Sequence, residues 1–224
     1  MSEMIVKSGA SPVASGAGAR LDTVSGRRVV SSYGEVEGEV LAARERVILA
    51  DVSATGKLVI QGRQIESILA DTFGGSPAAP GDLVTFEGGW ITKLNRYEYY
   101  AVLPLNKVEA TREALQSAFN GLHAHATSLT YGRDALALAG PHAAQTLSKL
   151  CALDLHTAVF PNRRAQIGSV GGVTALIARL DKSDVRHYEL HVDRSYAEFL
   201  WEVISDAAEE FDGRMVGTEA IGRL

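Results

Sequence analysis

The sequence is poor in the features that mark several classes of protein. Among its 224 residues only Cys151 is a cysteine, which excludes an internal disulfide. The net charge is -5 and no basic cluster occurs, so a nucleic-acid-binding protein, which needs a positively charged face, is not expected. No segment approaches the roughly 20 consecutive apolar residues of a membrane-spanning helix.

The N-terminus also lacks the pattern of a secretory signal. Residues 1–20 are rich in Ser, Gly and Ala, and no apolar segment follows the early Lys7. We therefore expect a cytoplasmic protein. Hydrophobic residues make up 46% of the sequence and charged residues 22%, which is enough apolar material for a sizeable core.

What the sequence does contain is an internal repeat. Residues 57–69 align without a gap with residues 135–147, and each segment has the pattern of a strand, a glycine turn and a helix. Gly88-Gly89 in the first copy corresponds to Gly171-Gly172 in the second, and both pairs are interpreted as tight turns. The repeat predicts two similar halves packed about a pseudo-twofold axis, with any binding site where the halves meet.

Strands and helices are mixed along the chain without strict alternation. Three short strands with turns between them are predicted over residues 82–103, and an amphipathic helix closes each copy, over 107–121 and 194–210. This order predicts an α+β fold, with mainly antiparallel sheet and flanking helices. Residues 1–28 are low in bulky apolar residues and are predicted to form a flexible N-terminal tail, followed by a single domain over 29–224.

The spacing of reactive residues predicts no catalytic residue and no metal ligand. His123 and His125 share one face of a probable strand, but no further ligand follows at the spacing of a metal site. His187 and His191 also share a strand face; a metal pair is one interpretation, and a polar sheet face is the simpler one. Cys151 lies in an apolar run without a basic neighbour, which indicates a buried small residue.

Several segments resemble the aminomethyltransferase (glycine cleavage T-protein) family. Asp51-Val52-Ser53 with Gly56-Lys57 is similar to the family motif Asp-Val-Ser-His-Met-Gly-Lys. Residues 136–141 are similar to its Leu-Gln-Gly-Pro signature, and residues 216–220 to the start of its Gly-Leu-Gly-Ala segment. The resemblance covers residues 30–224 and implies the folate-binding-domain fold of the T-protein, with two pseudo-symmetric halves.

Two segments of the second half are more similar to the gamma subunit of heterotetrameric sarcosine oxidase, which belongs to the same superfamily. Residues 151–156 with Phe160-Pro161 resemble its Cys-x-Leu-Asp-Leu-His run, and residues 194–201 resemble its Arg-Ser-x-Ala-x-x-Leu-Trp helix. This resemblance implies a folate-domain fold without a cofactor of its own. It also implies flavoprotein partner subunits, which would carry FAD, FMN and NAD.

Departures from the T-protein pattern bear on catalysis. The T-protein follows its paired glycines with Val-Ile-Asp-Asp, and these carboxylates act on the amine and the folate nitrogens, since proton transfer needs a titrating group within hydrogen-bond reach. Here the two acidic positions are Thr92 and Lys93. The family's Gly-Tyr-Thr-Gly-Glu segment, whose glutamate holds the pterin, is also missing, unless Asp181 or Asp184 takes the place of that glutamate.

We therefore predict a non-catalytic gamma-type subunit of a heteromeric sarcosine oxidase, or of a related N-methyl amine oxidase, in one-carbon metabolism. The alternatives are a stand-alone folate-dependent aminomethyltransferase or methyltransferase with an altered site, and a folate-binding scaffold outside amine metabolism. Asp51 and Ser53 are interpreted as structural, closing the turn after their strand through bonds from side chain to backbone.

The residues predicted for a binding pocket are mainly aromatic. Tyr97, Tyr99 and Trp90 of the first half, with Glu189 of the second, are predicted to line a vestigial folate pocket that would hold tetrahydrofolate. Aromatic residues on strands are more often part of the core, which is the alternative for these three rings.

Overall fold

The computed structural model describes residues 6–16 and 18–224, and its contacts separate into two units, each built on its own β-sheet. The first unit contains the described residues up to 54 with 133–162 and 167–224, and the second contains 55–132 and 163–166. The predicted single domain over 29–224 stays a prediction.

Thirteen strands and seven α-helices lie in the described part of the chain. The strands are β1 (Arg20–Val24), β2 (Arg27–Ser32), β3 (Ile48–Asp51), β4 (Thr55–Gly62), β5 (Leu83–Phe86), β6 (Gly89–Asn95), β7 (Glu98–Pro104), β8 (Ala124–Ser128), β9 (Arg133–Ala139), β10 (Arg164–Val170), β11 (Val173–Arg179), β12 (His187–Asp193) and β13 (Arg214–Met215). The helices are α1 (Ser11–Ala14), α2 (Val36–Glu45), α3 (Glu66–Phe73), α4 (Val108–Ala118), α5 (Ala143–Ser148), α6 (Ala197–Glu209) and α7 (Thr218–Gly222). None of these helices has the length and hydropathy of a membrane span.

The sheet of the second unit has five strands in the order β5-β6-β7-β4-β8, and each neighbouring pair is antiparallel. β5, β6 and β7 form the predicted meander, with Gly88 at a φ of 78° in the first turn, where a side chain would be strained. Helices α3 and α4 pack on one face. The core on that face contains Leu58, Ile60, Ile91, Tyr99, Ala101 and Leu103 of the strands with Leu69, Phe73 and Leu115 of the helices.

The sheet of the first unit has six strands in the order β10-β11-β12-β9-β3-β13. β13 runs parallel to β3, whereas the pairs β11–β12, β12–β9 and β9–β3 are antiparallel. Helices α5 and α6 cover one face, and α2 and α7 pack on the other, near β3 and β13. The prediction of an α+β fold with mainly antiparallel sheet and flanking helices is confirmed.

Both units repeat one topology, as the sequence repeat predicts. The series β4-α3-β5-β6-β7-α4 corresponds to β9-α5-β10-β11-β12-α6, and in each sheet the last meander strand pairs with the first strand of its series. Each sheet is extended beyond its series, by β8 in the second unit and by β3 and then β13 in the first. β8, which immediately precedes β9 in the chain, pairs with β4, and β3, which immediately precedes β4, pairs with β9. The leading strand of each repeat, which is the strand directly before its series, therefore pairs in the sheet of the other repeat.

The prediction of a flexible N-terminal tail over residues 1–28 is wrong for the part of it that the structure describes. This part forms α1, β1 and the start of β2. Ala10 and Ala14 are fully buried in the core of the first unit. The contact is made by small side chains, which a search for bulky apolar residues does not detect. Residues 1–5 and 17 lie outside the described residues.

Candidate functional site

The four residues predicted to line a folate pocket do not share one surface. Trp90 and Tyr99 lie on opposite faces of the second unit's sheet, because Tyr99 and Ile91 belong to the helix-side core and successive strand residues alternate in direction. Tyr97 lies in the turn between β6 and β7, and Glu189 lies on β12 of the first unit. One pocket cannot be lined by both Trp90 and Tyr99.

Tyr99 and Lys93 are part of a polar network on the helix side. The Tyr99 hydroxyl donates to the Glu66 carboxylate at 3.0 Å, and Lys93 Nζ lies 3.5 Å from the same carboxylate and 5.1 Å from the centre of the Tyr99 ring. The interaction with Tyr99, which is the largest cause, raises the pKa of Lys93; burial opposes the rise, and the charge of Glu66 adds to it. The ammonium is therefore neutralised within the unit, at a position where the resemblance implies a catalytic carboxylate.

The opposite face of this sheet carries buried polar and aromatic side chains. Lys57, Trp90, Thr92 and Tyr100 are each at most 4% exposed. The Lys57 ammonium donates to the Thr55 carbonyl oxygen at 2.8 Å, and the rings of Trp90 and Tyr100 lie 6.0 Å apart. This face supplies an ammonium group and two rings.

Thr92, the other of these two positions, also has a hydrogen-bond partner inside the protein. Its hydroxyl donates to the carbonyl oxygen of Asp82 at 2.8 Å, and the residue is fully buried. Neither Thr92 nor Lys93 can act as the carboxylate that a folate-dependent transferase would use as a proton acceptor.

The face of β12 that points away from α5 and α6 is polar, as predicted for His187 and His191. His191 Nε2 and a Glu189 carboxylate oxygen lie 3.2 Å apart, and His187 Nδ1 lies 3.2 Å from the carbonyl oxygen of Leu180. Both histidines are fully buried. Burial lowers the pKa of His187, and the charge of Glu189 opposes that effect. His187 is therefore neutral at pH 7.

A metal ion has no evident set of ligands in the part of the chain that the structure describes. No three His, Cys, Asp or Glu side chains converge there. His191 and Glu189 form a pair of such side chains, 3.2 Å apart. The pair can hold a proton between an imidazole and a carboxylate, which is acid–base chemistry without a metal.

The two aspartates considered as replacements for a pterin-binding glutamate differ in environment. Asp181 accepts two hydrogen bonds from Arg179, at 3.0 and 2.7 Å, and its carboxylate also accepts the backbone N–H of His187 at 3.3 Å. The hydrogen bond with Asp181 raises the pKa of Arg179. Asp184 is exposed in the turn before β12. Asp181 is committed to a structural ion pair, and Asp184 is open to solvent.

Asp51 and Ser53 close the turn after β3, and their interpretation as structural residues is confirmed. The backbone N–H of Ser53 donates to the Asp51 carboxylate at 2.9 Å. The Ser53 hydroxyl donates to the carbonyl oxygen of Ala135 at 3.3 Å and accepts the Ala135 N–H at 3.0 Å. Ser8 also donates its hydroxyl to Asp51. The motif shared with the T-protein is thus used to join the N-terminal segment, β3 and β9.

One buried ion pair was not detected from the sequence. Arg27 on β2 donates to the Asp134 carboxylate at the start of β9, and both side chains are at most 1% exposed. Asp134 also accepts the backbone N–H of Gly9. The partners are far apart in sequence and Arg27 lies in the segment expected to be flexible, so no local pattern indicates the pair.

Tyr97 lies at a small surface cavity of about 220 Å³ in the second unit. Arg63 and Arg96 approach its ring, with guanidinium carbons 4.9 and 5.3 Å from the ring centre. The Glu98 carboxylate at this cavity accepts a hydrogen bond from the Gln61 amide at 3.1 Å. The ring is 37% exposed, so it is available to solvent at the end of the sheet.

Comparison with known proteins agrees with this architecture. Residues 11–224 match the family model described as the GCVT N-terminal domain. An aminomethyltransferase of Thermotoga petrophila is 25% identical over 219 residues, which cover 92% of this chain and 59% of that protein. One from Streptomyces coelicolor is 27% identical over 208 residues, covering 86% of this chain and 54% of that protein. The chain therefore spans little more than half the length of these relatives.

Two solved structures share the fold. Heterotetrameric sarcosine oxidase from Corynebacterium sp. U-96, in complex with pyrrole 2-carboxylate, contains a chain with a TM-score of 0.68 and 28% identity; the match covers 78% of this chain and 91% of that one. The glycine cleavage system aminomethyltransferase T of Bartonella henselae has a TM-score of 0.79 and 19% identity, and the match covers 96% of this chain and 60% of that one. The predicted T-protein-type fold is confirmed.

Proposed function

The chain belongs to the GCVT N-terminal domain family, and from this premise we propose that it is a non-catalytic, gamma-type subunit of a heteromeric sarcosine oxidase or a related N-methyl amine oxidase. The 28% identity with a chain of the Corynebacterium enzyme supports this assignment. So do the two segments of the second half that resemble the gamma subunit. A cytoplasmic location and a place in one-carbon metabolism are part of the proposal.

The observation that carries the proposal is that Thr92 and Lys93 occupy the two acidic positions of the family pattern and are both bonded within the protein. Thr92 is buried and bonded to a backbone carbonyl, and Lys93 is neutralised by Glu66 on the helix side of the sheet. A folate-dependent transferase needs an acidic group at the reacting nitrogen, and neither position supplies one. The residues present therefore do not fit a catalytic folate site.

The cofactors follow from this assignment. The chain would carry none of its own, and FAD, FMN and NAD would be held by flavoprotein partner subunits. Of the residues predicted for a vestigial pocket, Trp90 and Glu189 each stay a candidate for contact with tetrahydrofolate, since Trp90 lies on the sheet face away from α3 and α4, and Glu189 lies on the sheet face away from α5 and α6. Tyr99 is used in the network with Glu66 and Lys93.

Reconstitution tests the proposal directly. The chain is expressed with the flavin-bearing subunits encoded by the same host, and the purified sample is assayed for sarcosine-dependent hydrogen peroxide formation. We expect the chain to co-elute with flavin absorbance in a fixed ratio, and the oxidase to lose assembly or activity when the chain is omitted. Flavoprotein subunits that assemble and oxidise sarcosine equally well without it would contradict the proposal.

A folate-dependent aminomethyltransferase is the second candidate function. It is favoured by Glu189, a largely buried carboxylate paired with His191, and by the aminomethyltransferase relatives. Calorimetric titration of the purified chain with tetrahydrofolate separates the two functions. Binding at micromolar concentrations that Glu189→Gln abolishes would favour the transferase, and absence of binding would favour the subunit.

A further inference from the structure

The only asparagine of the sequence that precedes a glycine lies directly after helix α4. Asn120 is followed by Gly121, whereas Asn95, Asn106 and Asn162 are each followed by arginine or lysine. All four asparagines are exposed, so exposure alone does not distinguish them. A glycine has no side chain to obstruct its own backbone nitrogen, and this nitrogen can attack the side-chain amide of a preceding asparagine. That attack is the first step of deamidation.

Asn120 and Gly121 form the middle of a surface turn. The Leu122 N–H donates to the carbonyl oxygen of Phe119 at 2.8 Å and closes the turn around them. Gly121 has a φ of 80°, and a carbon added to it would meet no atom within 4 Å. Rotation of the backbone between Asn120 and Gly121 breaks one backbone hydrogen bond, which is a local opening that leaves the unit folded.

Neither reacting group of this pair is held by a hydrogen bond in the part of the chain that the structure describes. The Gly121 N–H has no acceptor there, and the Asn120 side-chain amide has no partner. Asn95 Oδ1, in contrast, accepts a backbone N–H at 3.0 Å, and so does Asn162 Oδ1. An unbonded side chain can turn toward the nitrogen that follows it, whereas a bonded one must first lose its partner.

A second pair, Asp212-Gly213, has the same glycine in the opposite environment. The Gly213 N–H donates to the carbonyl oxygen of Ala208 at 3.0 Å. A carbon added at Gly213 would lie 2.6 Å from the Ala208 side chain, so this glycine packs closely against the end of α6. A backbone nitrogen that is bonded and packed in this way is not available for attack. The chain therefore contains an internal reference for Gly121.

We propose that Asn120 is a site of spontaneous deamidation, and that the unbonded N–H of Gly121 makes it one. The Gly121 nitrogen attacks the side-chain carbonyl carbon of Asn120, which closes a succinimide ring. The side-chain nitrogen of Asn120 takes up the proton that Gly121 loses and leaves as ammonia. Water then opens the ring at either carbonyl carbon, which gives aspartate or isoaspartate. No electrons are exchanged, and water is the only other reactant.

The product changes the end of α4 in two ways. The new carboxylate lies two residues past Ala118, the last residue of the helix, where the helix dipole disfavours negative charge. Isoaspartate also adds a carbon atom to the backbone before Gly121. The net charge of the chain, which is -5, becomes more negative, so the modified molecules separate by anion exchange. This inference is independent of the proposed function.

Peptide mapping of aged protein tests the site. The full-length chain is kept folded in mildly alkaline buffer for several weeks, and samples are digested with trypsin and analysed by mass spectrometry. Cleavage after Arg112 and Arg133 isolates a peptide in which Asn120 is the only asparagine. The exchange of NH2 for OH adds about 1 Da. We expect this gain to appear about tenfold faster than in the peptides that carry the other three asparagines.

Asp212→Asn is the matched control, because it creates a second asparagine–glycine pair in the same chain. The replaced side chain is 84% exposed and lies 4.0 Å from Arg46. The backbone φ of Asp212 is 52°, which asparagine tolerates. In the folded variant we expect position 212 to deamidate about tenfold more slowly than Asn120, since its glycine N–H stays bonded to Ala208. In urea the two positions should react at similar rates.

Three results would overturn the proposal. In the first, the Asn120 peptide of the folded wild type stays unmodified, or another asparagine reacts as fast. In the second, Asn120 and position 212 of the folded Asp212→Asn variant react equally fast, so the hydrogen bond of the glycine is not what separates them. The third uses Asn120→Gln, whose longer side chain forms the corresponding ring less readily. This variant should lose the acidic species from the anion-exchange profile, and a species that persists would place the reaction elsewhere.

Discussion

The buried pair of Arg27 and Asp134 gives the sharpest test of the structure. Both side chains are at most 1% exposed, and they join a hairpin near the N-terminus to the first strand of the second repeat. Arg27→Met removes the cation and keeps much of the side chain's bulk. Asp134→Asn removes the anion and keeps an acceptor for the N–H of Gly9, so the two substitutions isolate the charges.

The expected magnitude follows from what each variant leaves behind. Either single substitution removes one partner of a buried ion pair and leaves the other charge in the interior, which costs about 3 to 5 kcal/mol in the free energy of unfolding. Domains of this kind are stable by about 5 to 15 kcal/mol, so the loss is a large fraction of the total. The double variant contains neither charge, and we expect its loss to be smaller than the sum of the single losses by about 2 kcal/mol or more.

Arg20→Met is the matched control, because Arg20 lies in the same hairpin and pairs at 3.0 Å with Glu219 at the surface. An exposed pair of this kind contributes about 0 to 1 kcal/mol. The free energies are measured by urea unfolding, followed by circular dichroism. An Arg27→Met variant within about 1 kcal/mol of the Arg20→Met control would refute the assignment of a buried ion pair.

Three further outcomes are expected. Gly140→Ala should lower the free energy of unfolding by about 2 kcal/mol more than Gly172→Ala. Both glycines have a positive φ, but only at Gly140 would the added carbon lie 2.1 Å from a carbonyl oxygen, so equal losses in urea unfolding would contradict this expectation. Burial holds the pKa of the His187 imidazole below its ordinary 6.5, so between about pH 7 and about pH 5 the imidazole takes up a proton in the unfolded chain and not in the folded chain. The free energy of unfolding should therefore fall as the pH drops over this range. A His187→Gln variant with an unchanged pH slope would show that His187 is not the cause. Burial also raises the pKa of Cys151, and iodoacetamide should alkylate it more slowly in the folded than in the urea-unfolded chain; equal rates would show that the thiol is exposed.

The meander of the second unit could be predicted from the sequence almost residue by residue. The predicted strands over 82–103 correspond to β5, β6 and β7, because alternating apolar residues and the turns at Gly88 and Asn95 are local signals. Local periodicity and turn chemistry determine these elements.

Register between the repeats was harder to predict. Tyr97-Glu98 and Tyr188-Glu189 have the same sequence and align with each other, but in the two sheets Tyr99 pairs with Ile60 and Tyr188 pairs with Leu138, and Ile60 and Leu138 occupy equivalent places in the repeat. The true correspondence is therefore shifted by two residues. A shift of two keeps each side chain on its face, so the apolar pattern cannot distinguish the two registers.

The amphipathic helix over 194–210 was predicted, but its apolar residues alone do not identify the buried face. Leu200 and Ile204 are fully buried, whereas Tyr196 and Phe199 are 50% and 46% exposed. Trp201 is buried in place of these rings. A helix with apolar residues on more than half of its circumference has no single stripe, so which part is buried depends on the strands it covers.

The candidate site depended on contacts that sequence spacing does not contain. The pairing of Lys93 with Glu66 joins a strand to a helix. The pairing of Arg179 with Asp181 decides whether that aspartate is available to bind a pterin. The aromatic residues were recognised as a group, but the alternation of strand residues separates Trp90 from Tyr99. The placement of side chains on faces, and not their identity, limited the prediction.

The exchange of leading strands has a consequence for dissection of the chain. Because β3 pairs with β9 and β8 pairs with β4, a cut between α4 and β8 would give two fragments that each lack one strand of their own sheet. A polypeptide carrying one repeat would have to borrow that strand from a second molecule, as in a domain-swapped dimer. The two fragments should therefore recover their structure only when mixed, and fragment complementation, not the study of isolated halves, is the suitable way to take this fold apart.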